Sequence, residues 1–178
     1  ENFTGNLVPM LRDGEIDVAL IALPFSVPGV RTRALYEEPF SVVVPEGHEW
    51  ARKKRVRPDE LAGESLLVLH AGHCFREQVL EACPGQGNTA NPEGRSGSSL
   101  ETIRNMVASG LGVSVLPDTA LQARYANKLV KVIPFTEPVP SRQVAIAWRA
   151  SFSRPQAVEA VARAVLDVKL DCLRKVAA

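Results

Sequence analysis

A short segment holds two of the chain's three cysteines. Residues 70–83 read HAGHCFREQVLEAC, with Cys74 directly after His73 and Cys83 nine positions further on. Thiolates pair as disulfides, bind metal ions and attack electrophiles, so the residue types leave all three chemistries open. Burial as two inert, small apolar side chains is a fourth interpretation, because free cysteine packs like a hydrophobic residue.

The same segment offers the residue types of a metal site: His70, His73, Cys74 and Cys83. Their spacing does not match the C-x₂-C or H-x₃₋₅-H pairs of structural zinc sites, so no metal site and no cofactor is predicted. An odd total of three cysteines argues against a secreted disulfide framework and favours a reducing, cytoplasmic setting. We expect Cys172, near the apolar face of a predicted terminal helix, to be structural or incidental.

Composition narrows the class of protein. Of the 178 residues, 46% are hydrophobic and 23% are charged, which is typical of a globular protein and not of a disordered chain. The formal net charge of +1 gives no basic field of the kind that a nucleic-acid-binding surface needs. The sequence has no apolar run of about 18 residues, so no membrane span is predicted. The first residues lack the basic-then-apolar pattern of a signal peptide.

Strand patterns alternate with helix patterns along the chain, which predicts α/β architecture with mainly parallel sheets. We expect strands at 16–23, 30–36, 40–44, 65–70, 112–117, 128–135 and 142–149. We expect helices at 6–13, 59–62, 74–82 and 155–176, and another that is capped by Ser98 or Ser99 and ends at Gly110. Residues 84–97 form the longest Gly/Pro-rich stretch and predict a functional or mobile loop.

Four further blocks carry a family resemblance: LRDGEIDVALIAL at 11–23, EEPFSVVVPEGHEW at 37–50, LAGESLLVL at 61–69 and SSLETIRNMVASGLGVSVLP at 98–117. Together they resemble the effector-binding, or regulatory, domain of LysR-type transcriptional regulators. Within that family, GHCFREQVLEAC at 72–83 resembles the hydrogen peroxide sensors of the OxyR branch.

The resemblance implies two Rossmann-like lobes, arranged as in a type 2 periplasmic binding protein. Lobe I would comprise residues 1–36 plus 143–178, and lobe II, which carries the cysteines, residues 37–142. The chain opens on a helix whose partner sheet comes only later. We therefore expect a fragment that lacks the first βα unit of lobe I and the N-terminal DNA-binding domain of the family.

The resemblance also implies roles for individual residues. Cys74 would be the peroxidatic thiol and Cys83 the resolving thiol, whereas the expected pocket residues around them are Thr4, His73, Ser98 and Arg142. The start of a helix suits a reactive thiolate because the partial positive charge there favours an anion. Two other roles are open: Thr4 could cap the helix at 6–13, and Glu101 could pair with Arg104 one helical turn later.

Geometry constrains the implied disulfide. Nine residues of α-helix span roughly 13 Å and place the first and last side chains on nearly opposite faces. A disulfide needs Cα atoms within about 7 Å of each other. A bond between Cys74 and Cys83 therefore requires the intervening helix to unwind or break.

For the whole protein, the resemblance implies a cytoplasmic activator of oxidative-stress genes rather than an enzyme. Its partners would be hydrogen peroxide, further copies of itself in a homodimer or homotetramer, promoter DNA and RNA polymerase. One alternative is a LysR-type domain that binds a small metabolite in the cleft between its lobes. Another is a thiol peroxidase, although the chain contains neither a C-x-x-C motif nor a peroxiredoxin-type cysteine block.

Overall fold

The computed structural model describes residues 2–83 and 96–176. The α-helices in these ranges are α1 (Thr4–Asp13), α2 (Cys74–Ala82), α3 (Leu100–Ala108) and α4 (Pro155–Asp167). The strands are β1 (Val18–Ala22), β2 (Val30–Pro45), β3 (Leu66–Leu69), β4 (Ser96–Gly97), β5 (Val113–Pro117), β6 (Val130–Pro134), β7 (Ser141–Arg149) and β8 (Arg174–Lys175). Short 3₁₀ helices cover Glu49–Arg52, Pro58–Gly63, Asp118–Leu121 and Ala123–Tyr125.

The chain divides into two compact units. Unit 1 comprises Glu1–Glu38 and Arg142–Ala178, and unit 2 comprises Pro39–Ser141. The chain therefore leaves unit 1 after Glu38 and returns to it at Arg142, with all of unit 2 inserted between these two residues.

In unit 1, the strands follow the order β1–β7–β2, and β8 also pairs with β2. Strands β1 and β7 are antiparallel. Alternate residues of β7 serve two hydrophobic clusters, because successive side chains of a strand point to opposite faces. Ala145 and Ala147 pack with Leu11 of α1, whereas Ile146 packs with Val158 of α4.

In unit 2, the strands follow the order β6–β2–β5–β3–β4. Residues 41–43 of β2 pair with both β5 and β6, so these two strands flank β2. Every residue of β3 and β5 is buried, as expected for apolar runs that are covered on both faces. One large hydrophobic cluster surrounds these strands, and α2 and α3 contribute to it through Phe75, Val79, Ile103 and Val107.

The prediction of mainly parallel sheets is wrong. Strand β3 runs parallel to β4 and β5, but the ladders β1–β7, β2–β5, β2–β6 and β2–β8 are antiparallel. Alternation of strand and helix patterns predicts parallel pairing only where a helix connects neighbouring strands. In this chain, the long strands β2 and β7 pair with strands that are distant in sequence, and the sheets are mixed as a result.

The prediction of two strands at 30–36 and 40–44, broken near Pro39, is also wrong, because β2 runs without interruption from Val30 to Pro45. Pro39 falls between two ladders: Tyr36 and Glu37 pair with β8, and pairing with β5 begins at Phe40. Proline is tolerated in a strand at a position where its missing N–H removes no ladder hydrogen bond.

The terminal helix is shorter than predicted. Helix α4 ends at Asp167, and Val168 has extended backbone angles (φ −64°, ψ 121°). The chain then turns and forms β8, so Cys172 lies after the helix and is half-buried. The continuous apolar run at 16–23 also predicts a strand that is covered on both faces. This prediction is wrong, because the side chain of Leu20 in β1 is 48% exposed. No helix in the described residues is both long enough and apolar enough to cross a membrane.

Candidate functional site

Cys74 is the first residue of α2 and is exposed. The chain reaches it from the buried strand β3 through a turn at Gly72, whose φ of 98° favours glycine. His73 is the N-cap residue, and its side chain accepts no capping hydrogen bond from the first turn. The first-turn N–H groups and the positive end of the helix dipole therefore favour negative charge at the position of Cys74.

The opposite face of α2 is anchored in the core of unit 2. Phe75 is 6% exposed, and its ring meets that of Phe40 edge to face, with 5.1 Å between the centroids. Arg76 donates a hydrogen bond of 3.0 Å to the carbonyl oxygen of Leu69, the last residue of β3. These contacts hold the start of the helix in place while the Cys74 side chain faces solvent.

Cys83 follows the last residue of the same helix. Its side chain is fully buried in the hydrophobic cluster of unit 2, and its N–H donates to the carbonyl oxygen of Val79 at 3.0 Å. Burial raises the pKa of this thiol from 9.0 to about 12. Cys83 is therefore a protonated thiol at neutral pH and is sheltered from solvent. The side chain of Cys74, in contrast, is exposed.

Helix α2 keeps these two thiols apart. Cys74 and Cys83 are nine positions apart at the two ends of a continuous helix, a spacing of roughly 13 Å along the axis. None of the three cysteines, all of which lie in the described residues, takes part in a disulfide. Of the predicted loop 84–97, residues 84–95 lie outside the described residues, and Ser96 and Gly97 form β4, which pairs with β3.

The two serines before α3 differ in role. Ser99 is the N-cap residue, and its Oγ accepts a hydrogen bond of 3.1 Å from the N–H of Thr102. Ser98 is exposed, and its Oγ lies 3.5 Å from Oγ1 of Thr102. Ser98 is therefore available for the pocket role that the resemblance implies.

Arg142, the other predicted charged residue, is paired within unit 1. Its Nε and Nη2 both lie 2.6 Å from Oε2 of Glu38, whose side chain is only 1% exposed. Burial, followed by the carboxylate of Glu38, raises the pKa of the neighbouring Tyr36. The sequence patterns above did not single out Glu38, although a carboxylate separated from the apolar run FSVVV only by Pro39 was a visible signal for a buried ion pair.

Thr4 is the first residue of α1 and is half-buried. The N-cap position belongs to Phe3, without a side-chain capping hydrogen bond, so the alternative role of Thr4 as an N-cap is wrong. Thr4 and Arg142 belong to unit 1, whereas His73, Cys74, Cys83 and Ser98 belong to unit 2. Among the described residues, no group of three or more His, Cys, Asp and Glu side chains could hold a metal ion.

The sequence matches the LysR substrate binding domain over residues 1–169, and the chain belongs to this family. Within the family, it is similar to regulatory domains of OxyR. The reduced form of the OxyR regulatory domain from Pseudomonas aeruginosa is 51% identical, with a TM-score of 0.84 over 93% of this chain and 80% of that one. A reduced form of OxyR from Neisseria meningitidis is 40% identical, with a TM-score of 0.92 over 99% of this chain and 83% of that one.

A curated relative from Mycobacterium avium, a probable hydrogen peroxide-inducible genes activator, is 36% identical over 154 residues. That match covers 86% of this chain and 50% of the relative, so the chain spans about half the length of the curated relatives it matches. These similarities confirm the resemblance to the OxyR branch and the predicted α/β fold of its regulatory domains.

Proposed function

We propose that the chain is the peroxide-sensing regulatory domain of a LysR-type transcription factor. The arrangement of the two thiols of α2 carries the proposal: Cys74 is exposed at the start of the helix, and Cys83 is buried just beyond its end. The relatives named for hydrogen peroxide-inducible gene activation support the same conclusion. In this proposal, units 1 and 2 are the two lobes of the regulatory domain.

The first chemical step takes place at Cys74. Its thiolate attacks one oxygen of hydrogen peroxide, a sulfur–oxygen bond forms and the oxygen–oxygen bond breaks. Sulfur is oxidised to sulfenic acid, and the other oxygen leaves as hydroxide, which is protonated to water. The N-terminus of α2 favours the attacking anion, and His73, which directly precedes Cys74, donates a hydrogen bond to the peroxide.

The second step joins the two cysteines. The thiol of Cys83 loses its proton and attacks the sulfur of the sulfenic acid, and the sulfenic oxygen leaves as water when the disulfide forms. Because Cys83 is buried and stands a full helix away, α2 must open before its thiol can reach Cys74. Oxidation would thereby become a change in fold, which is the signal that a regulator needs.

The remaining pocket roles belong to the same proposal. Thr4 and Ser98 would supply hydroxyl groups to the peroxide, and Arg142 would support the thiolate through its positive charge. The buried carboxylate of Glu38 fixes the position of the Arg142 guanidinium within unit 1. Glu38 would therefore act as a positioning residue.

Stopped-flow measurement of thiol loss after mixing with hydrogen peroxide tests the proposal. We expect the wild-type chain to react far faster than free cysteine and Cys74→Ser to lose this fast phase. Cys172→Ser, the matched control on the third cysteine, should keep it. Reaction of the wild type at the rate of free cysteine would overturn the proposal in favour of a domain that binds a metabolite. Repeated turnover with a recycling reductant would instead indicate a thiol peroxidase.

The proposal extends to the full-length transcription factor. Promoter DNA would be bound by a part of the protein outside this chain, and RNA polymerase would be contacted by the full-length activator. The protein would act in the cytoplasm, where thiols stay reduced. The regulatory domain would associate as a homodimer or homotetramer, and its oxidation would change that packing. Sedimentation analysis of reduced and peroxide-treated full-length protein, with and without promoter DNA, tests these statements.

A further inference from the structure

Unit 2 contains a concave site whose lining includes none of the cysteines. The cavity has a volume of about 500 Å³ and lies between α3 and the chain that begins with the 3₁₀ helix Ala123–Tyr125. Its lining residues are Glu101, Arg104, Asn105, Arg124, Tyr125, Ala126, Asn127 and Lys128. The volume falls within the range typical of sites for small molecules.

The lining is rich in positive charge. It contains three cationic side chains, from Arg104, Arg124 and Lys128, and one carboxylate, from Glu101. Arg124 and Lys128 are exposed, and neither makes an ion pair with any described residue. The expected pair between Glu101 and Arg104 is not formed either, because Arg104 extends to the carbonyl oxygen of Ala120.

Arg104 is a largely buried cation in the lining of the cavity. The residue is only 9% exposed, and its Nη2 donates to the carbonyl oxygen of Ala120 at 2.6 Å. Its Nε is buried and has no hydrogen-bond partner among the described residues. Buried donors are almost always paired in folded proteins, so the Arg104 guanidinium retains hydrogen-bonding capacity that no described residue uses.

Tyr125 holds two of the cations beside the cavity. Its ring centre lies 5.2 Å from Cζ of Arg104 and 4.6 Å from Cζ of Arg124, which are cation–π distances. Asn127 uses its Oδ1 to accept a hydrogen bond from the N–H of Leu129, so its side-chain amide is oriented by the backbone. Guanidinium and amide donors are therefore fixed around one concavity before any ligand arrives.

We propose that this cavity binds a small metabolite that carries a phosphate or carboxylate group. The oxyanion would accept hydrogen bonds from Arg124 and Lys128, and its charge would compensate the partly unsatisfied Arg104. The carboxylate of Glu101 would accept a hydrogen bond from a hydroxyl or amino group of the same ligand. Such a site would give the domain a chemical input that is independent of the redox state of Cys74.

Calorimetric titration of the 178-residue chain with inorganic phosphate, and separately with succinate, tests this proposal and distinguishes the two oxyanions. We expect saturable binding of at least one probe. The double variant Arg124→Gln/Lys128→Gln should weaken that binding about tenfold or more, since it removes two charge-assisted hydrogen bonds. Both residues are exposed, so the variant should fold.

The matched control is Arg52→Gln/Lys54→Gln, which removes the same charge from exposed positions of unit 2 outside the cavity lining. It should bind the probe as the wild type does, and so should Cys74→Ser, which separates this site from the peroxide chemistry. Equal weakening in the cavity variant and the control would show a general charge effect and overturn the proposal. Absence of saturable binding of both probes at millimolar concentration would overturn it as well.

Discussion

Glu38 and Arg142 form a buried ion pair between the two residues at which unit 1 is interrupted by unit 2. Arg142 Nε and Nη2 each lie 2.6 Å from the same carboxylate oxygen, and the Glu38 side chain is 1% exposed. The pair therefore joins the end of one segment of unit 1 to the start of the other. Removal of one partner of a buried ion pair strongly destabilises the folded protein. The contribution of this pair to stability can therefore be tested by substitution.

We expect Arg142→Ala to lower the free energy of unfolding by about 3 to 5 kcal/mol, since the carboxylate of Glu38 would remain buried without a partner. Urea unfolding monitored by circular dichroism measures this loss. Arg33→Ala is the control, because the Arg33–Glu159 pair is about 40% exposed on both sides, and we expect it to cost less than about 1 kcal/mol. Equal losses in the two variants would show that the buried pair contributes no special stability.

The two serines before α3 should differ in their effect on stability. Ser99→Ala removes the side chain that caps the helix and should cost about 1 kcal/mol. Ser98→Ala should leave stability nearly unchanged, because Ser98 is exposed and does not cap. Thermal unfolding of both variants gives the comparison, and a larger effect of Ser98→Ala would contradict the assignment of the cap.

Phe75 should anchor helix α2. Phe75→Ala removes a ring that packs edge to face on Phe40 in the core of unit 2 and should cost about 3 to 5 kcal/mol. Phe3→Ala is the matched control, since Phe3 is 42% exposed, and we expect an effect below about 0.5 kcal/mol. Hydrogen exchange of residues 74–83 should become faster in Phe75→Ala. Unchanged exchange there would show that Phe75 does not hold α2.

Stability should fall at alkaline pH because of Cys83. Burial raises the pKa of its thiol from 9.0 to about 12 in the folded chain. Above pH 9 the unfolded chain loses this proton while the folded chain keeps it, so the contribution is complete below pH 9 and declines as pH rises toward 12. The free energy of unfolding should drop by about 1.4 kcal/mol per pH unit more in the wild type than in Cys83→Ala. In Cys172→Ala, the free energy of unfolding should depend on pH as steeply as in the wild type. The same pH dependence in the wild type and in Cys83→Ala would contradict this account.

The two thiols of α2 should separate the two chemical steps. Cys83→Ser should still react once with hydrogen peroxide, because Cys74 remains exposed, but it should form no disulfide within the chain. Non-reducing mass spectrometry after peroxide treatment should show a Cys74–Cys83 bond in the wild type and in Cys172→Ser. An intrachain disulfide formed by Cys83→Ser would mean that Cys172 is the resolving thiol.

Local sequence patterns were sufficient to predict the family, the α/β class and helix α2. The helix predicted at 74–82 coincides with α2, because its apolar residues recur at helical spacing and Gly72 provides the turn before it. The positions of Cys74 and Cys83 at its two ends follow from chain spacing alone. The inference that a disulfide requires the helix to open therefore needed only helical geometry.

Only the tertiary structure decided the relationships between residues that are distant in the chain. The burial of Cys83 depends on side chains from several elements, and the Glu38–Arg142 pair joins residues 104 positions apart. The same reason explains the wrong predictions. The continuity of β2 through Pro39 and the antiparallel ladders depend on which strands pair. The early end of α4 at Asp167 is followed by the pairing of β8 with β2. Periodicity reports local conformation, whereas pairing, burial and charge compensation depend on which distant segments meet.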